Sequence, residues 1–158
     1  MKGEKWKIYG VFIAAAETVG ILSGLLSRAG MEAYSQTAVQ PAFAPPAWVF
    51  PVVWTILYGL MGFGAARIWL ADSSSERSRG LNLYIAQLIV NFFWSLIFFN
   101  VQSFGFAFVW LILLWGLVAW MTISFANVDR LAALLQIPYV IWLTVAAVLN
   151  GAVWGLNR

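Results

Sequence analysis

The sequence predicts an all-α membrane protein, a single five-helix transmembrane bundle, on three observations. Hydrophobic residues make up 63% of the chain and charged residues only 9%, against about 25% charged in a soluble domain. No soluble core could hide that much apolar surface, so the solvent must be largely lipid. The apolar residues fall into five runs of roughly twenty, the length that crosses a bilayer as a helix. Only helices and closed barrels satisfy their backbone groups in lipid, and these runs are too long for barrel strands.

The first helix is expected over about 8–27, after a basic start with Lys2, Lys5 and Lys7. A cleaved signal peptide is the rival reading, because Ala14-Ala15-Ala16 could suit a peptidase. The apolar run continues past that point with Val19, Ile21, Leu22, Leu25 and Leu26, which favours an uncleaved anchor. A lid loop is expected over about 28–47, ending in the proline-rich PAFAPPAW. Two prolines cannot both sit inside a regular helix. Pro46 therefore belongs near the first helical position, with Phe43-Ala44-Pro45 extended before it. Helix two is expected over about 48–71, and DSSSERSRG from Asp72 to Gly80 is a solvated turn. Helix three follows over about 81–101 and helix four over about 106–126, joined at Gln102-Ser103-Phe104-Gly105. Helix five is expected over about 131–154, with Asp129 as its cap and Pro138 as an internal kink.

Positive charge orients the bundle. The N-terminal tail, the second and fourth loops and the end of helix two carry Lys2, Lys5, Lys7, Arg67, Arg77, Arg79 and Arg130. The opposite side carries only Arg28 and Arg158. That asymmetry places the N-terminus inside and the lid loop outside.

Composition excludes much chemistry. There are no cysteines and no histidines. Thiolate and zinc–sulfur sites are ruled out, as are the commonest general base and the usual axial haem ligand. No metal site is expected, and no P-loop or dinucleotide fingerprint is present. The net charge of +3 reads as topology rather than as a nucleic-acid footprint, so no nucleic acid partner is expected.

The informative residues are rings and amides at helical spacing. Gln87, Asn91, Trp94 and Phe98 lie along one face of helix three, and Trp142, Ala146 and Asn150 along one face of helix five. Trp54 and Tyr58 are four apart on helix two. Apolar walls with a few orienting dipoles are the makeup of a small-molecule pocket. The same amides would also serve simply to bond neighbouring helices, an effect of about 0.6 kcal/mol each. Glu17 is the one acid well inside a span, and it is expected to face the bundle and be protonated or paired, either in a functional role or through a local bond to Gln87, Asn91 or Asn150. On helix four, Trp110, Trp115 and Trp120 are separated by steps of roughly 140°, so they point in three directions and some must face lipid or another subunit. Gly62 and Ala66 form a small-xxx-small patch that permits close packing, within the bundle or across a dimer.

Three ordered segments carry a family resemblance: PAFAPPAWVFPVVWTILYGLMG from Pro41, AQLIVNFFWSLIFF from Ala86 and IPYVIWLTVAAVLN from Ile137. Together they resemble the translocator protein family, also called tryptophan-rich sensory proteins or peripheral-type benzodiazepine receptors, over nearly the whole chain. The resemblance implies a five-helix bundle, usually a homodimer, with a pocket under the first loop for protoporphyrin IX and hydrophobic drugs. It implies ligand contacts at Pro45, Trp54, Tyr58, Asn91, Trp94, Trp142 and Ala146, to which Gln87 is added from its place on the helix-three stripe. Some bacterial members promote light-dependent porphyrin breakdown, which would assign photochemical roles to Trp54 and Trp142. The chain departs from the family pattern at Tyr34-Ser35, where Trp-Tyr is common, and at Phe43, where Trp is common. Gly151-Ala152 and Gly155 replace the tyrosine and basic residue of the animal sterol motif, so sterol binding through it is not expected.

The expected function is therefore binding of a flat hydrophobic ligand, a tetrapyrrole above all, within a multi-pass protein of the bacterial cell membrane. Light-dependent porphyrin degradation or tetrapyrrole sensing is the expected consequence of that binding; transport of tetrapyrroles or other small hydrophobic molecules is the alternative. No cofactor is required, since any photochemistry would use the ligand's own excited state. A third possibility is a sensory scaffold whose partner docks on the Gly62–Ala66 face or the second loop.

Overall fold

The computed structural model describes residues 1–158 as an all-helical chain. The helices are α1 (Lys2–Thr37), α2 (Val49–Trp69), α3 (Ser75–Ser95), α4 (Phe104–Ala126), α5 (Arg130–Leu134) and α6 (Ile137–Leu156), with a π-helical turn at Leu96–Val101 continuing α3. Five spans are long and apolar enough to cross a membrane, α5 and α6 counting together as the fifth. The chain is an integral, multi-pass membrane protein. Its outer surface carries large apolar side chains such as Leu25, Ile89, Val109 and Ile141, which suits acyl chains as solvent.

α1 begins at Lys2 and runs to Thr37, well beyond the expected 8–27. Ten residues assigned to the lid loop are thus helical, and the loop shrinks to about 38–48. The cause is tertiary. A Cβ on Gly30 would lie 2.7 Å from the Phe99 carbonyl, so glycine lets α1 close onto the π-helical turn. Tyr34 then packs among Phe98, Phe99 and Phe104, with ring centroids 5.3 to 6.0 Å away. Ser23 donates to the Phe92 carbonyl at 3.1 Å, and Asn100 donates to the Leu26 carbonyl at 2.9 Å.

The shortened loop is pinned at its start by a two-way amide contact. The Val39 N–H donates to Asn157 Oδ1, and Asn157 Nδ2 donates to the Val39 carbonyl, both at 2.8 Å. Phe43 is not extended as expected. It shares a turn with Ala42, closed by the Ala44 N–H on the Pro41 carbonyl at 3.0 Å. Pro46 stands outside α2, which starts at Val49 with Trp48 at the cap; Pro51 is the proline that occupies the first turn.

α3 starts at Ser75, six residues earlier than 81. The Ser74 hydroxyl caps the Arg77 N–H at 3.1 Å, and Glu76 sits in the positive first turn, paired with Arg79 at 2.7 Å. Local caps thus fold the polar stretch into helix. The connection to α4 is only Gln102-Ser103, with Gln102 in the left-handed region at φ 54°.

The expected helix five is interrupted. Pro138 lies in the first turn of α6 rather than kinking a continuous helix. Proline has no N–H to offer the preceding turn, so the break falls at Leu135–Gln136. Gln136, fully buried, bridges that break by donating to the carbonyls of Ala132 at 3.2 Å and Leu60 at 3.3 Å.

Asp129 caps α5 as expected, accepting from the N–H groups of Leu131 at 2.9 Å and Ala132 at 3.1 Å. Its other oxygen holds Arg67 of α2 at 2.7 Å. Partial burial pushes the Asp129 carboxyl up, but the Ala132 amide, the Arg67 guanidinium and the Leu131 amide outweigh it and hold it below the ordinary carboxylate value. A depressed folded value stabilises the fold above the unfolded value of about 3.9 and loses that contribution as pH falls through the lower folded one. Asp129→Ala is expected to cost about 1 kcal/mol through the lost cap. Thermal unfolding in detergent at neutral pH checks this, and the difference from wild type should shrink in strong acid.

Gly62 and Ala66 resolve to packing inside the bundle. A Cβ on Gly62 would sit 2.6 Å from the Ile13 Cα, and Ala66 is fully buried. That face is therefore closed to a second subunit or a partner protein. The tryptophans of α4 diverge as their spacing required. Trp110 donates to the Val90 carbonyl at 2.7 Å, Trp115 donates to Thr144 Oγ1 at 3.0 Å, and Trp120 is exposed.

Candidate functional site

α6 packs its backbone closely against α4 and meets α2 and α3 across a wider seam filled by side chains. Large rings and amides at the helical spacing described above fill it. At its centre is Tyr139, fully buried. Its hydroxyl donates to Gln87 Oε1 at 2.8 Å and accepts from Asn91 Nδ2 at 2.9 Å. Gln87 also directs its amide nitrogen at Met61 Sδ, 3.5 Å away. The two amides of α3 thus fix the hydroxyl of α6, which is the helix-bonding role open to them from sequence.

The rings build outward from this centre. Trp54 lies edge-on to Tyr139 with centroids 6.1 Å apart and tilted against Tyr58 at 5.7 Å. Tyr58 is itself buried, its ring against Gly20 of α1. Trp142, one turn beyond Tyr139, meets Phe50 of α2 edge-on at 5.7 Å. The Trp142 indole N–H is buried and has no acceptor. A buried donor without a partner is costly, typically about 1–3 kcal/mol, and calls for an explanation. Ala146, also buried, continues the same face of α6.

Trp94 belongs to a second group. Its indole N–H donates to Asn150 Oδ1 at 3.2 Å, and its ring stacks on Phe98 at 5.2 Å. Asn150 in turn donates to the Phe104 carbonyl at 2.9 Å. Pro45 lies elsewhere again. With Phe43 it covers a cavity of about 330 Å³ lined by Thr144, Val145, Val148 and Leu149. Val145 and Val148 are exposed, so this cavity opens on the outer flank of α6. Of the residues expected to hold ligand, it contains Pro45 alone.

The structure therefore brings Trp54, Tyr58, Gln87 and Asn91 together around Tyr139, and sets Trp142 and Ala146 further along the same seam. Trp94 and Pro45 flank it from two other sides. Tyr139 and Phe50 were not among the expected residues. Tyr139 could have been found, since it falls three residues before Trp142 and seven before Ala146, on the same stripe of α6. Phe50 gave no such signal.

Comparison with known proteins gives one coherent result. The sequence model described as the TspO/MBR family matches residues 12–155. Protein CrtK of Rhodobacter capsulatus is 36% identical over 151 residues, covering 95% of this chain and 92% of that protein. The translocator protein of Sus scrofa is 36% identical over 151 residues, covering 94% of this chain and 84% of its own length. The tryptophan-rich sensory protein of Cereibacter sphaeroides is 32% identical over 152 residues, covering 96% and 92%.

Proposed function

The chain belongs to the TspO/MBR family, and on that premise we propose that it binds a porphyrin, protoporphyrin IX in the first instance, at the seam between α2, α3 and α6. The observation that carries this reading is the Trp142 indole, a buried donor without an acceptor set among the rings of that seam. A flat ligand with acceptor atoms at its edge would satisfy the N–H and stack on Trp54 and Trp142. Tyr58 and Ala146 would complete the apolar wall, with Trp94 closing the end nearest the loop. Gln87 and Asn91 would orient the ligand's polar edge by holding Tyr139 or by exchanging with it. Pro45 and its loop would shut out water.

Light-dependent degradation would draw on the bound porphyrin's own excited state, with Trp54 and Trp142 as the nearest electron donors. Sensing would follow from the same occupancy. The alternative reading, transport of tetrapyrroles, is favoured by one observation: the cavity under Phe43 and Pro45 opens sideways on α6, a route from the bilayer. In either case the N-terminus lies inside and the loop outside, on the charge asymmetry. The protein works as a homodimer through a surface other than Gly62–Ala66, in the cell membrane of a bacterium.

Trp142→Phe tests the reading. Titration with protoporphyrin IX, read by quenching of intrinsic fluorescence, is expected to show affinity reduced about tenfold, which corresponds to ~1.4 kcal/mol. Light-driven loss of the porphyrin absorption band should slow in parallel. If binding and photochemical loss both stay at wild-type levels, the seam is not the site.

A further inference from the structure

Glu17 is a carboxylate at mid-membrane depth for which the chain supplies no partner. Its Oε1 lies 3.5 Å from where a Cβ on Gly59 would stand. Gly59 is the midpoint of α2, which runs for 21 residues and so spans about 30 Å, the thickness of the hydrocarbon layer. Glu17 takes part in neither of the two ion pairs, Arg67–Asp129 and Arg79–Glu76, and accepts no hydrogen bond. No cation of the chain comes near it. Lys7 and Arg28 are ten and eleven residues away on α1, about 15 and 16 Å along the axis, and Arg67 lies about 12 Å beyond Gly59. Glu17 does not turn into the bundle as expected, and Gln87, Asn91 and Asn150 bond elsewhere; it is neither buried nor fully exposed and sits at the outer edge of the contact between α1 and α2.

The space beside the carboxyl is open. Around Gly59 the nearest atom is the Glu17 oxygen itself, and around Gly24, seven residues along α1 on the same face, nothing lies within 4 Å. The walls are apolar and exposed: Ile21 on α1, Val52 and Ile56 on α2. Tyr58 separates this groove from the ring-lined seam, its ring lying between Gly20 and Trp54.

The geometry points to a second, lipid-facing site at the α1–α2 groove, in which Glu17 binds a hydrophobic amine that reaches it through the bilayer. The carboxyl proton passes to the amine nitrogen or is shared with it, so the pair carries no net charge. A lone carboxylate at this depth is strongly disfavoured, whereas a neutral acid–amine pair is not. The alkyl body of the amine lies along Ile21, Val52 and Ile56. This site stands apart from the porphyrin reading, because Tyr58 lies between Glu17 and the ring-lined seam, and either can fail alone.

The test uses the full chain in phosphatidylcholine nanodiscs. The probe is a dansyl-labelled dodecyl dimethylamine, with the matching dansyl dodecanol as a neutral control, and binding is read by energy transfer from tryptophan. Glu17→Gln is expected to weaken the amine at least tenfold and leave the alcohol unchanged. Gly59→Leu, which fills the groove and keeps the carboxyl, is expected to weaken the amine to a similar extent and carries the test if the first variant does not fold. Dicyclohexylcarbodiimide should label Glu17 from the bilayer, and the amine should protect it. Equal amine binding by wild type and both variants would overturn the site. Equal binding of amine and alcohol would reduce Glu17 to a protonated group with no ligand, and absence of carbodiimide labelling would show that the bilayer does not reach it.

Discussion

Gly62→Leu is expected to destabilise the bundle by about 3 kcal/mol or more, the upper end of what overpacking costs. A Cβ at this position would lie 2.6 Å from the Ile13 Cα, 2.7 Å from the Phe12 carbonyl oxygen and 2.8 Å from the Ile13 nitrogen. These are backbone atoms, so no rotamer change can relieve the clash. Only withdrawal of α1 from α2 would do so, and these two helices are among the most closely packed pairs in the molecule. Gly116→Leu on α4 is the control, since nothing lies within 4 Å of its Cβ. It should shift stability by less than about 1 kcal/mol, within the range of helix propensity. Thermal unfolding of both variants in the same detergent separates the two cases. A Gly62→Leu protein that melts with the control would mean that α1 and α2 do not touch there.

Tyr139→Phe is expected to cost about 1–3 kcal/mol, and the cost should fall on Gln87 and Asn91. The lost hydroxyl is acceptor for one buried amide and donor to the other, and neither amide is exposed. Leaving a buried group unmatched costs about 1–3 kcal/mol. Hydrogen bonds between membrane helices average nearer 0.6 kcal/mol, because the separated helices also find partners. Two groups orphaned at once in a fully enclosed place make the larger figure the better guide. Adding Gln87→Leu to Tyr139→Phe should then cost less than the same change in wild type. A thermal double-mutant cycle reads that coupling. Strict additivity would show that the hydroxyl and the amide act independently.

Several features of this protein could be read directly. The apolar runs gave five spans, because lipid demands long helices whatever their neighbours do. Asp129 capped α5, because a cap depends on the few residues around it. The tryptophans of α4 diverged, because their angular spacing is a property of one helix. Other features needed a neighbour. α1 runs on to Thr37 because Gly30 and Tyr34 find the π-helical turn, about seventy residues away in sequence. The Gly62–Ala66 patch fitted a dimer as well as the bundle until α1 was seen to occupy it. Pro138 could break a helix or open one, and the reach of Gln136 to Leu60 decides how the broken ends are held.

For the candidate site the division is sharper. Periodicity put Trp54 with Tyr58, Gln87 with Asn91, and Trp142 with Ala146, each pair on its own helix. It could not say that the amides meet Tyr139, that Trp94 turns to Asn150, or that Pro45 covers the outer flank of α6.

What the sequence alone determined is the solvent, the number of spans and the residues that share a face, since all three follow from composition and the helical repeat. Which faces meet, and which donors and acids are left without a partner, was decided only by the tertiary structure. Those outcomes depend on how closely one backbone can approach another, and that distance is set jointly by residues far apart along the chain.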